Sequence, residues 1–394
     1  MKKLVLALAA TTMMSTAALA EDIKIGVLLG FTGPIESTVA NMGPGADLAI
    51  KEVSDSGALL GGAKVIPVRG DSTCVDAAAA TAAAERLITA EGVKAIVGGD
   101  CSGVTGATLQ NVARPNGIVM ISPSATSPGL STAEDDGLFF RTAPSDARQG
   151  QIVSDILTGK GVKSVALTYT NNDYGKGLAE SIQKNFEAAG GKVTISAAHE
   201  DGKGDYSAEV GALAQAGGDI LVVAGYLDQG GKGVIQGSLD TGAFDTFYLP
   251  DGMVGDALPK AIGDGLNGSY GATPGTDSPG AAKFADLAKA AGFDGTSPFS
   301  AETYDAAALI MLAMQAAGSS DSAKLKDKVM EVANAPGEKI FPGELAKGLK
   351  ILADGGDIDY VGASAVELIG PGESAGNYRE IEVKDQGIAT VQFR

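Results

Sequence analysis

The feature that most narrows the fold of this chain is a rhythm. Short runs rich in Val, Ile and Leu alternate with Ala-rich stretches whose apolar residues recur at helical spacing. IKIGVLLG (23–30), KVIPVRG (64–70), KAIVGG (94–99) and GIVMIS (117–122) predict four strands. GADLAIKEV, DAAAATAAAERLI and SGVTGATLQNVA, which lie between them, predict helices. Strands separated by helices pair in parallel through crossovers, so residues 43–130 read as βαβ units. The pattern then restarts with SVALTYT (164–170), KVTISA (192–197), DILVVAGY (219–226) and DTFYLPDG (245–252), with helices starting near Gly175, Tyr206 and Gly231. Two α/β lobes of similar plan explain this repetition more economically than one oversized sheet.

Breaks in the rhythm indicate how the lobes connect. RTAPSD (141–146) carries an X-Pro break followed by Ser and Asp suited to cap a helix, and GATPGTDSPG (271–280) is a second turn-rich break. A helical region follows, strongest at SAETYDAAALIMLAMQAA (300–317). IDYVGASAVEL (358–368) and REIEVKDQGIATVQF (379–393) then alternate as strands do. A chain that leaves the first lobe, returns and leaves again makes three crossings, hence a multi-segment hinge. The expected division is a leader at 1–20, a first lobe from 21–141 with 274–364, and a second lobe from 142–273 with 365–394.

The leader follows from its own grammar. Lys2 and Lys3 precede a short apolar run, interrupted by Thr and Ser, that ends in Ala18-Leu19-Ala20. This predicts a secretory signal cleaved before Glu21 rather than a membrane anchor, and no Cys follows to carry a lipid. The product is expected to be exported to the periplasm. An oxidising compartment in turn favours a Cys74–Cys101 disulfide, the one intrachain bridge two cysteines allow.

Composition excludes several functions. With 30 Lys and Arg against 48 Asp and Glu, the formal charge is −18, and such a field repels nucleic acid and anionic lipid. His199 is the sole histidine, so imidazole bases and metal ligands are nearly absent. Ser102 as a nucleophile would need a base, and His199 lies far away in a polar stretch. GFTGP and GGKG do not match phosphate-binding loops, and no EF-hand spacing is present. No enzyme activity, cofactor or metal is expected.

Ligands of parallel α/β sheets collect beyond the C-terminal strand ends, where helix N-termini present free N–H groups. Ser102 follows KAIVGG and opens a helix, so its hydroxyl and amide can face a carboxylate, although a plain N-cap is the simpler role. Thr126 offers the same pair of donors after another strand, and Ser124 can lend a carbonyl to an ammonium. Tyr174, Tyr226 and Asp251 each follow strands in the second lobe. An ammonium in a dry cleft needs a compensating charge, which Asp251 would supply, though Pro-Asp-Gly is also good turn chemistry.

In order along the chain stand GFTGP (30–34), GGDCSG (98–103), MISPSATSP (120–128), FFRTAPSD (139–146), NNDYGKG (171–177), AGYLDQG (224–230), LPDG (249–252) and TYDAAAL (303–309). With these strings the chain resembles the leucine/isoleucine/valine-binding family of periplasmic solute-binding proteins, which serve branched-chain amino acid ABC importers. The resemblance implies a type I periplasmic-binding fold, two doubly wound lobes joined by a three-segment hinge. It also implies that Ser102, Ser124 and Thr126 hold the amino acid head group, while Asp251, Tyr174 and Tyr226 close over it. The departures fall where the ligand's side chain would lie. Asp100 stands where leucine binders are apolar, Thr38 replaces an aromatic, and Glu36 is close by. Either the protein partners Asp100 or the ligand is polar, which leaves open a polar or basic amino acid, a small amide, or a sensor role. The implied partners are the amino acid and a membrane permease, with the protein acting as a monomer.

Overall fold

A computed structural model describes residues 21–394, so the expected leader at 1–20 lies outside the described residues. In chain order, the first lobe begins with β1 (Ile23–Leu29), α1 (Glu36–Ser56), β2 (Val65–Asp71), α2 (Ala77–Glu85), β3 (Ala95–Gly98), α3 (Ser102–Thr108), β4 (Val119–Ser122) and β5 (Phe139–Pro144). The second lobe adds α4 (Asp146–Gly159), β6 (Ser164–Thr170), α5 (Asp173–Ala188), β7 (Lys192–His199), α6 (Ser207–Ala216), β8 (Ile220–Ala224), α7 (Gly230–Thr241), β9 (Phe247–Leu249), α8 (Ala257–Ile262) and β10 (Tyr270–Pro274). The chain returns to the first lobe with α9 (Pro279–Ala291), α10 (Ser300–Ala317), α11 (Ser322–Ala333), β11 (Glu338–Ile340), α12 (Leu345–Ala353), β12 (Ile358–Tyr360), β13 (Leu368–Ile369) and β14 (Glu373–Ser374). The hairpin of β15 (Tyr378–Lys384) and β16 (Gly387–Phe393) ends it.

Two seven-stranded sheets form, in the orders β13-β14-β5-β4-β3-β1-β2 and β16-β15-β10-β9-β8-β6-β7. Within them, β1 to β5 and β6 to β10 pair in parallel; β14 extends the first sheet in parallel beside β5 with β13 antiparallel at its edge, and the antiparallel β15 and β16 close the second. Strands covered by helices on both faces need continuous apolar runs, as β3, β4 and β8 have, each buried throughout. Helix α10 is buried from Glu302 to Met314.

The chain crosses between sheets after β5, after β10 and between β14 and β15. The first two crossings fall at the expected breaks, but β5 and β10 themselves had read as turns. Strand β10 looks like a turn because of Gly271. A Cβ there would stand 1.9 Å from the Leu249 carbonyl oxygen, so only glycine permits that strand contact.

The third crossing comes later than expected. Residues 365–374, assigned from sequence to the second lobe, belong to the first sheet through β13 and β14. The cause is long-range: β14 takes the open edge of β5, and the buried Arg141 guanidinium meets Glu373 at 2.5 Å. Asn334 further pins Leu368, donating to its carbonyl and accepting from its N–H. Of the predicted strand at 358–368, only Ile358–Tyr360 forms at its start, paired with β11 in a separate two-stranded sheet.

Candidate functional site

The C-terminal ends of both sheets face a common, tightly closed cleft lined by Ile35, Thr38, Asp100, Cys101, Ser102, Ser124, Tyr174, Tyr226, Asp251, Gly252 and Phe299. Six of the seven sequence-predicted ligand residues therefore converge. The lobes are closed over the cleft: the Asp228 N–H donates to the Pro34 carbonyl at 3.1 Å, and Asp228 Oδ2 accepts from the Ser37 N–H at 3.0 Å.

On the first lobe, Cys101 holds the extended N-cap position of α3, so Ser102 is its first helical residue rather than its cap. Ser102 Oγ accepts from the Ser127 N–H at 3.0 Å, which leaves its own proton free for an acceptor in the cleft. The Ser124 hydroxyl is spent on the Asp100 carbonyl at 3.0 Å. Thr126 is the seventh residue: it lies behind the wall, fully buried, and its Oγ1 has no partner. Disulfide Cys74–Cys101 ties the β2–α2 loop to the head of α3.

On the second lobe, Tyr174 opens α5 and Tyr226 follows β8, with their rings stacked at 5.2 Å. The Tyr174 hydroxyl donates to Asp251 Oδ1 at 2.6 Å, and the Gly252 N–H donates to the same oxygen at 2.8 Å. Asp251 Oδ2 is closed to solvent and has no partner. Burial pushes the Asp251 carboxyl up, while its hydrogen bonds to Tyr174 and Gly252 pull it down. A half-satisfied carboxylate beside a closed cavity is a place for a cation.

Asp100 resolves the choice left open above. Its Oδ2 accepts from the Gly30 N–H at 2.6 Å and its Oδ1 from the Ser72 hydroxyl at 2.7 Å, so the protein partners it although it lines the cleft. Burial raises its pKa, against those same bonds. Glu36 is exposed on the first turn of α1 and does not line the cleft. Thr38 does line it, where a larger side chain would narrow the space.

Sequence reading missed Ile35 and Phe299. Phe299 takes a left-handed backbone (φ 61°) before α10, and no local pattern marks it. It also missed Gln149, whose Oε1 accepts the Asp251 N–H at 3.1 Å. His199 pairs with Thr168 Oγ1 through Nδ1 at 2.8 Å, does not line the cleft, and is pushed down to about 4 by burial. Gly372 to Gly376 has the spacing of a nucleophile elbow, yet Ser374 sits on a strand that leads into another strand, not into a helix.

Comparison with known proteins agrees with this arrangement. The model of the family described as periplasmic binding protein matches residues 22–345. The "Leu/Ile/Val-binding protein homolog 1" of Brucella abortus is 33% identical over 327 residues, covering 81% of this chain and 83% of that protein. The "leucine-, isoleucine-, valine-, threonine-, and alanine-binding protein" of Pseudomonas aeruginosa is 28% identical over 330 residues, covering 83% and 87%. The isoleucine-bound branched-chain amino acid transporter substrate binding protein of Streptococcus pneumoniae superposes with a TM-score of 0.76 at 22% identity, over 94% of this chain and 99% of that one. Two hinged α/β lobes closing on a shared cleft, together with a family match over most of the sequence, place this chain in the periplasmic binding protein family.

Proposed function

We propose that this protein captures a free α-amino acid with a small or branched aliphatic side chain in its interlobe cleft and delivers it to the permease of an ABC importer. In this reading the chain is exported, loses residues 1–20 and works in the periplasm as a monomer. One observation carries it: Asp251 Oδ2 is an unpartnered carboxylate oxygen at a closed cleft whose wall holds no Lys, Arg or His. A ligand ammonium supplies the missing partner. The ligand carboxylate takes the free Ser102 proton. With Asp100 satisfied by its neighbours, the side-chain end is left to Ile35, Thr38 and Phe299, which favours an aliphatic group over a basic one.

Closure supplies the affinity. A micromolar dissociation constant needs about −8 kcal/mol, which a ligand of roughly ten heavy atoms reaches only when most of them are engaged. Both lobes are then required, so the ligand selects the closed form. The test is a thermal-shift panel of free amino acids, amides and polyamines on refolded, ligand-stripped protein. Small aliphatic L-amino acids should raise the melting temperature most, and a response confined to polyamines or to compounds lacking an α-ammonium would overturn the reading.

A further inference from the structure

We infer that Gly177 is a positioning residue for ligand capture: any larger residue there would hold the two lobes apart, so Gly177 sets how tightly they shut on the ligand. The inference rests on the amino acid reading above. Helix α5 starts at Asp173, and its second residue, Tyr174, lines the cleft. Gly177 comes three residues later, on the same face and about one turn along. A Cβ built on it would stand 2.9 Å from Pro128 Cδ, 3.2 Å from Ser127 Oγ and 3.9 Å from Pro128 Cγ. These atoms belong to the first lobe, in the segment between β4 and β5.

Its own lobe makes no comparable demand for glycine. Gly177 has no positive φ, so the helix backbone accepts any L-residue there. Glycine inside a helix is a poor helix former, and alanine would serve α5 better. Gly175, two residues earlier, differs in kind. Its Cβ would meet the Thr170 carbonyl oxygen at 2.2 Å, a contact within the second lobe, so folding itself requires glycine at that position. At Gly177 the requirement arises only when the lobes meet. Pro128 cannot yield by changing rotamer, because its ring ties Cδ to the backbone nitrogen.

The seam between the lobes has little slack. Non-bonded carbons rest at about 3.5–4.0 Å, so an alanine methyl would push α5 and the Pro128 segment apart by about half an ångström or more. Elsewhere along the seam, Asp228 bonds the Pro34 carbonyl at 3.1 Å and the Ser37 N–H at 3.0 Å. Such bonds work at about 2.7–3.2 Å, and both lengthen when the lobes back away. The Pro128 segment also shapes the ligand wall, since the Ser127 N–H donates to Ser102 Oγ at 3.0 Å. A propped seam therefore disfavours the closed form against the open one, whatever side chain the ligand carries.

Calorimetry with L-leucine and L-alanine on ligand-stripped Gly177→Ala tests this, beside thermal melting of the same protein without ligand. Affinity for both amino acids should fall at least fivefold, by factors that agree within threefold, while the ligand-free melting temperature holds or rises. Pro128→Ala removes Cδ, so the double variant should bind within threefold of the Pro128→Ala single variant. A smaller loss in Gly177→Ala, a loss confined to one ligand, a loss that persists beside Pro128→Ala, or a lower ligand-free melting temperature overturns the inference and leaves amino acid capture standing. Failure of every L-amino acid to bind the wild type overturns both.

Discussion

Asp251→Asn preserves the shape of the side chain and removes its charge. The Asn carbonyl can still accept from the Tyr174 hydroxyl and the Gly252 N–H, as Asp251 Oδ1 does. Its NH₂ then occupies the place of Oδ2, the oxygen without a partner, and turns a donor against the donors of the ligand ammonium. Removing one partner of a buried ion pair costs about 3–5 kcal/mol. The lower end applies here, because two hydrogen bonds already spread part of the carboxylate charge. About 3 kcal/mol corresponds to a loss of roughly 160-fold in affinity. Calorimetry with L-leucine on ligand-stripped protein measures it. Unfolding curves run alongside should show no loss of stability, since burial already opposes ionisation of Asp251. An affinity change below threefold in the folded variant would refute the assignment of the ammonium to Asp251.

Replacing Cys74 and Cys101 together by Ser opens a loop with a sequence separation of 27. Chain entropy puts the loss at about 3.5 kcal/mol, or roughly 5 °C in melting temperature for a chain of this length, and an unchanged melting temperature would remove the disulfide from the account. Asp100→Leu strands the Gly30 N–H and the Ser72 hydroxyl, so denaturant unfolding should show a loss of about 2 kcal/mol or more with the ligand ranking unchanged. A reordered ranking would instead put that carboxylate in contact with ligand. His199 is neutral when folded, with a pKa of about 4 against 6.5 unfolded. The unfolded chain takes up the proton first as pH falls, so stability present at neutral pH drains away between 6.5 and 4, by up to roughly 3 kcal/mol. Urea unfolding of wild type and His199→Gln at pH 7 and 4 should differ by that margin, and parallel losses would exclude it.

Much of this fold is legible locally. The two sets of strands, the Ala-rich helices and the crossings near 144 and 274 are written in periodicity and in Pro, Gly and Ser punctuation. So is the placing of Ser102, Tyr174, Tyr226 and Asp251, because residues just past a strand in a parallel sheet point toward the cleft whatever the rest of the chain does. Other features depend on partners distant in sequence. Residues 365–374 look like any short strand until β5 offers an unpaired edge and Arg141 a charge. Asp100 reads as a pocket acid until Gly30 and Ser72 arrive from other loops. Thr126 reads as a wall residue until packing sets it behind the wall, beside Asp146. Ile35 and Phe299 carry no local mark at all. Periodicity along a chain records which residues seek burial, whereas the choice of neighbour is made by pairing and desolvation between segments that only folding brings together.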